Sequence, residues 1–203
     1  KPATAEFTYE FDKWVDTNGN EDDLSNVIAD RTVKVSYKAI TNKYTVTFVD
    51  ENGTVLGTST VDYGTSASFN GEIPEKPATQ EFTYVFDKWV DASGNEDDLT
   101  NVIADRTVRI SYKAITNKYT ITFVDEDGTV LGTSTVDYGT SASDEEIKPT
   151  KAPTAEFTYE FDKWVDADGN EDDLSNVIAD RRVTATYTST RNKYTVTFLN
   201  EDG

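Results

Sequence analysis

Phe82, Tyr84 and Phe86 alternate with Thr83, Val85 and Asp87 in the segment EFTYVFDKW. That period of two is the mark of a strand with one buried face. The segment recurs twice, and in the place of Val85 those copies carry Glu10 and Glu160. A core position would not take a carboxylate without a large desolvation cost. The face with Val85 is therefore wet, and the Phe82/Tyr84/Phe86 face is assigned to the core. Tyr44, Val46 and Phe48 alternate with Thr45 and Thr47, giving a second strand. A polar tetrad closed by glycine follows, Asp50–Gly53, and then a β-prone run, Thr54–Val61; together these predict a hairpin. Val108, Ile110 and Tyr112 alternate with Thr107, Arg109 and Ser111, and form a last strand.

The intervening segments are less regular. Tyr63–Gln80 has its counterpart in Tyr138–Ala155, where Phe69 becomes Asp144 and Ile73 becomes Lys148. Such tolerance predicts a surface loop with one short helical turn. Glu96–Asp105 reads as a short helical or irregular bridge that contributes Leu99, Val102 and Ile103 to the core. Trp89, beside Phe86, is expected to be the largest single burial.

These patterns repeat. EFTY begins at Glu6, Glu81 and Glu156, and NKYT at Asn42, Asn117 and Asn192, each spaced by 75 residues. Lys1–Asn42 differs from Lys76–Asn117 at seven positions, and Lys43–Ser68 from Lys118–Ser143 at two. A period this long fits an array of small domains better than a solenoid.

Composition narrows the function. The 203-residue chain carries 38 acidic and 19 basic residues, a net charge of −19. Such a surface repels nucleic acid and anionic lipid, so neither nucleic-acid binding nor membrane insertion is expected. Hydrophobic residues make up only 36% while aromatics reach 12%, which suits small β modules centred on a few rings. There is no Cys and no His. Thiolate nucleophiles, disulfides and imidazole acid–base chemistry are absent. No nucleophile–base set exists, so an enzyme is not expected and no cofactor is implied.

The acidic stretch DTNGNEDD (Asp16–Asp23), with its copies at Asp91–Asp98 and Asp166–Asp173, raises calcium. An EF-hand loop needs oxygen ligands at positions 1, 3 and 5, Gly at 6 and Glu at 12. Counting from Asp16, Asn18 and Asn20 fit, but Gly19 falls at 4 and Val27 at 12. A tight turn with glycine at positive φ fits better. The acids that follow it would then favour a helical N-terminus at Leu24–Ile28. Weak surface calcium binding by Asp16, Asn18, Asp91, Asp166 and Asp168 is the alternative. Paired carboxylates such as Asp97 and Asp98 read as a solvated surface. Tyr63 and Tyr138, in VDYGT, are the candidates for stacking on a sugar, against a half-buried ring that closes the sheet. A Lys–Asn isopeptide would need a buried lysine among Lys43, Lys118 and Lys193, close to Asn26, Asn101 or Asn176.

KYTVTFVDENGTVL, VDYGT, the aromatic strand ending in FDKWVD and the closing ADRTVRISYKA together resemble the internalin-type B repeat, or Listeria–Bacteroides repeat. The resemblance spans the whole unit. It departs at Lys88–Trp89, where the family has Gly-Trp, and at Tyr112–Lys113, where Ala114 comes one residue late. It implies a mainly β, β-grasp-like module of four strands, in tandem on a bacterial surface protein, with no catalytic residues. On that frame, residues 43–116 and 118–191 are complete repeats. Residues 1–41 are the C-terminal part of another, and 192–203 the first strand of a further one. The chain starts and stops inside the pattern, which reads as a fragment of a longer array.

The expected function is a cell-wall-anchored stalk of a Gram-positive, extracellular adhesin. It would be a semi-rigid rod of modules with short linkers that carries a distal binding domain away from the wall. The alternative is a multivalent weak binder of a host glycan or protein. Expected partners are the neighbouring repeats, a host surface ligand, and a second copy through head-to-tail pairing of 192–203 with 1–41.

Overall fold

The computed structural model describes every residue, Lys1–Gly203. The chain is all β: β1 (Phe7–Val15), β2 (Lys34–Thr41), β3 (Lys43–Val49), β4 (Val55–Asp62), β5 (Phe82–Val90), β6 (Arg106–Thr116), β7 (Lys118–Val124), β8 (Val130–Asp137), β9 (Phe157–Val165) and β10 (Arg181–Arg191). No helix is long and apolar enough to cross a membrane. Two compact units are present: Lys1–Lys76 with Val85–Lys113, and Pro77–Tyr84 with Ala114–Gly203.

Two four-stranded sheets have the same order, β4-β3-β6-β5 and β8-β7-β10-β9. In each, an antiparallel hairpin leads, and its first strand pairs in parallel with the last strand of the sheet. Val46 faces Arg106 and Val49 faces Arg109; Ile121 faces Arg181 and Val124 faces Thr184. A parallel pair needs a long crossover, and here two irregular segments supply it. Their backbones pair with each other over the sheet. Gly64 N–H donates to Val102 O at 2.8 Å, Val102 N–H to Thr65 O at 2.9 Å and Ala67 N–H to Leu99 O at 2.9 Å. The same three bonds recur at Gly139, Val177 and Ala142.

The crossover is irregular rather than helical, and its carboxylates explain why. Asp97 accepts the Leu99 amide and Asp98 the Thr100 amide, turns that compete with helical bonding. Leu99 and Asn101 then sit at φ 64° and 46°, left-handed geometry that an α-helix excludes. The helical N-terminus expected at Leu24–Ile28 is likewise absent. Leu24 has φ 61° and its amide is bound by Asp22.

The first core gathers Val46 and Phe48 from β3, Val108 and Ile110 from β6, Trp89 from β5, and Ala67 and Val102 from the crossover. The second repeats it with Ile121, Phe123, Val183, Ala185, Trp164, Leu174 and Val177. Phe48 and Phe123 are fully buried; truncating either would cost about 3–5 kcal/mol.

Ile103, assigned to the core, is 46% exposed. Two further expectations are corrected. Phe86, assigned to the core face, is 40% exposed, while Trp89, three residues on, is 7% exposed. A β-bulge causes the change of face. In the second sheet, Phe161 pairs with Tyr187 and Trp164 with Ala185, so two residues oppose one, and the bulge re-aims the indole inward. Phe86 instead lies against Trp89, with ring centroids 5.7 Å apart. The second correction concerns Tyr63–Gln80. It has no helical turn and is not simply surface: Ala67 is buried, and Phe69 and Ile73 pack on the core.

Residues 1–41 form the two-stranded sheet β1-β2. Trp14 is 39% exposed and Val27 62%, whereas their counterparts Trp89 and Val102 are buried. Residues 192–203 carry the first-strand pattern but join no sheet, and Tyr194, Val196, Phe198 and Leu199 are exposed. Val85 is also exposed, as the glutamates in its place in the other copies require.

Candidate functional site: acidic loops and strand junctions

Asp91 folds its loop around its own carboxylate. Its Oδ1 accepts the amides of Ser93 at 2.8 Å and Asn95 at 2.9 Å, and its Oδ2 accepts the Asn95 carboxamide at 3.2 Å. Gly94, at φ 85°, closes the turn. Asp16 does the same with Asn18 and Asn20, and Asp166 with Asp168 and Asn170. These donors hold all three carboxyls below the usual carboxylate range, chiefly through the amides of Asn20, Asn95 and Asn170. Asp23, Asp98 and Asp173 are lowered too, first by the hydroxyls of Ser25, Thr100 and Ser175.

The glutamates Glu21, Glu96 and Glu171 pair with Lys13, Lys88 and Lys163, and one further aspartate of each loop is tied to arginine. Arg106 meets Asp97 at 2.8 Å and also donates to Thr100 O at 3.1 Å. Arg181 meets Asp172 at 2.8 Å, and Arg31 meets Asp22 at 3.0 Å. Of the sequence-predicted calcium residues, Asp16, Asp91 and Asp166 thus accept backbone amides within separate turns, and Asn18 and Asp168 donate their own amides to Asp16 and Asp166. No group of three or more acidic side chains is placed to hold a metal ion. Asp97 and Asp98, read as a solvated pair, divide their work: one anchors an arginine, the other a turn.

A second constellation lies where one sheet hands over to the next strand. Asn42 alone separates β2 from β3, and Asn117 alone separates β6 from β7. The amides of Asn42, Asn117 and Asn192 donate to the carbonyls of Glu6, Glu81 and Glu156, each at 2.8 Å. The Asn117 carboxamide donates to Thr79 O at 2.9 Å and Gln80 O at 3.1 Å, and its Oδ1 accepts from Thr83 Oγ1 at 2.7 Å. Tyr119 donates its hydroxyl to Gln80 O at 2.7 Å. Asn42, Thr8 and Tyr44 repeat the arrangement, and Asn192 and Tyr194 repeat its carbonyl contacts.

Tyr63 and Tyr138 sit at these junctions. Their rings are half-buried, 6.3 Å from those of Tyr44 and Tyr119. Their amides donate to Asn42 O and Asn117 O, both at 2.9 Å. Lys43 and Lys118 are largely exposed and pair with Asp62 and Asp137 at 2.6 Å. The buried lysine that an isopeptide requires is not among them.

Sequence reasoning passed over the roles of Asn42, Asn117 and Asn192, and of Asp105 and Asp180. The last two accept the Thr45 and Thr120 amides, each at 2.7 Å, and so fasten the crossover to the first strand. One signal was present: every copy keeps these polar residues beside a strand end.

Residues 44–109 match the Listeria-Bacteroides repeat domain, and residues 119–191 the divergent InlB B-repeat domain. No curated protein matches the chain. Among solved structures, streptococcal SHIRT (high identity repeats in tandem) domains 3–4 from a cell surface protein align over 74% of this chain and 99% of theirs, with 19% identity and a TM-score of 0.33. The type 2 repeat of the mucus binding protein MUB from Lactobacillus reuteri aligns over 73% and 99%, with 13% identity and a TM-score of 0.17.

Proposed function

Because the chain belongs to the Listeria–Bacteroides (InlB B-type) repeat family, we propose that it is a spacer. In this reading, tandem modules at 43–116 and 118–191 form part of the stalk of a cell-wall-anchored adhesin. Repeat number sets the reach of a distal binding domain. The observation that carries this reading is the junction. A single asparagine joins successive strands, and the same 2.8 Å amide bond recurs at Asn42, Asn117 and Asn192. A one-residue connection restricts hinge angles far more than a flexible linker does. The net charge of −19 adds a second support, since like-charged modules resist clumping and strand exchange between similar neighbours.

Small-angle scattering on arrays of two, three and four modules tests the spacer. Maximum dimension should grow linearly with module number, with and without calcium. Compact arrays, or growth only with calcium, would overturn it.

A second reading is multivalent weak binding of a host glycan, with Tyr63 and Tyr138 as stacking rings. Each ring keeps part of its surface exposed for such a contact, although the half-buried placement equally suits a ring that closes the sheet. Glycan titration of wild-type chain against Y63A/Y138A separates the two roles. A third concerns copies of the chain. Residues 193–198 repeat residues 43–48 letter for letter, and both they and the apolar face of residues 1–41 are exposed. Head-to-tail pairing would cover both. A monomer mass at every concentration would remove this reading.

A further inference from the structure

Asparagine followed by glycine occurs three times, at Asn18–Gly19, Asn52–Gly53 and Asn70–Gly71. In such a pair the glycine nitrogen can attack the asparagine side chain, since no Cβ on the glycine hinders the approach. All three asparagines are exposed, so access to water does not separate them. The bonding of the glycine amide does.

Gly19 N–H donates to Asp16 O at 3.2 Å, and Gly53 N–H to Asp50 O at 3.1 Å. The residues on either side are held as well. Asn18 and Asn20 donate their amides to Asp16 Oδ1, and Asn52 and Thr54 theirs to Asp50 Oδ1. Attack in either place must first break the turn. Asn70–Gly71 lies in the irregular segment between β4 and β5. There, neither the Gly71 amide nor the Asn70 carboxamide bonds to any group of the protein.

We propose that Asn70 is a site of spontaneous covalent modification, through which the first module ages and the second does not. The Gly71 nitrogen loses its proton and bonds to Asn70 Cγ. The Cγ–Nδ2 bond breaks, and ammonia leaves with a proton. Water then opens the cyclic imide. Cleavage at Cγ gives aspartate, and cleavage at the main-chain carbonyl gives isoaspartate, whose chain runs through Cβ. One water is consumed, one ammonia is released, and either product adds a negative charge. The second module has Glu145–Glu146 in this place and cannot react. Isoaspartate inserts a backbone atom beside Gly71, and Gly71 lies so close to the Phe69 ring that an added Cβ would meet its Cζ at 2.5 Å. That ring packs on Phe48 and Trp89, so conversion should loosen the first core. None of this depends on the spacer reading.

The test incubates the intact chain at mildly alkaline pH and locates conversion by peptide mass spectrometry. Asn70 should convert faster than Asn18 or Asn52 by roughly 2- to 12-fold, the worth of one amide bond. In urea, where the turns are gone, the three rates should draw together. N70Q, which would need a larger ring, should abolish conversion at this position. Hydrogen exchange of the incubated chain should rise at Val46 and stay constant at Ile121, and it should not rise in N70Q. Conversion at Asn18 or Asn52 as fast as at Asn70 would overturn the site. So would a preference for Asn70 that survives in urea, because local sequence rather than fold would then set it. Unchanged exchange at Val46 in fully converted chain would overturn the effect on the core.

Discussion

The two complete sheets fill the same space with different residues. In the first, the ring of Phe69 lies over Gly57, where an added Cβ would come within 3.3 Å of it. That ring packs 5.0 Å from Phe48 and 5.1 Å from Trp89. In the second, the place of Phe69 belongs to Asp144, and Ile147 covers Gly132 instead. Asp144 then takes up the indole: Trp164 Nε1 donates to its Oδ2 at 2.7 Å. What the fold requires is apolar volume over the glycine and a partner for the tryptophan. The side chains that supply them need not occupy the same positions.

A second difference follows the hairpin turns. In the first sheet Asp50 accepts the amides of Asn52 and Thr54, and Tyr112 donates to Pro74 O at 2.6 Å. In the second, Asp127 replaces Asn52 and takes the Thr129 amide. Asp125 is left to accept the hydroxyl of Tyr187 at 2.8 Å. The phenol at this strand position thus finds a backbone acceptor in one sheet and a carboxylate in the other.

The largest test of this comparison is F69A. It should destabilise the first module by about 3 kcal/mol and leave the second unchanged, as read by hydrogen exchange at Val46 and Ile121. Adding E72I, which places an isoleucine where the second module has Ile147, should recover part of the loss. No recovery would mean that the two fillings are not equivalent. D144A comes next. Removing the indole's acceptor should cost roughly 1 kcal/mol, seen in denaturant unfolding followed by tryptophan emission. The smallest effect is at high pH. Burial first, and then its bond to Asp125, push Tyr187 up to about 12. Folding favours its neutral form, so this stability is complete below about pH 10 and is lost as pH rises through about 12. Y187F should remove that loss, and ultraviolet titration of the phenols would register it.

Much of the fold could be read from the sequence where side chains alternate. The Tyr44/Val46/Phe48 face, the Asp50–Gly53 hairpin and the wet position of Val85 all follow from the period of two and from substitutions between copies. Failures cluster where local bonding overrides the period. The bulge after Phe161 shifts the face of the strand, and no residue there announces it. Asp22 and Asp23 looked like helix-favouring acids because charge was read without their acceptor geometry. Phe69 looked like a surface residue because Asp144 was compared with it position by position, while the compensating Ile147 lies three residues further on. Of the candidate sites, the turn at Asp16–Asp23 was visible from its glycine, but the junction was not. Asn117 acts through backbone carbonyls more than thirty residues earlier in the chain, and no spacing rule encodes those.

The parallel pairing of first and last strands has a mechanical consequence. Tension along the chain enters the first complete module at Lys43 and leaves at Thr116, on β3 and β6, which lie side by side between Val46 and Val49. Pulled from opposite ends, two parallel strands slide past each other. Their hydrogen bonds are loaded together in shear instead of being unzipped one at a time. In the proposed stalk, a pull along the chain would strain each module along the direction in which it yields last.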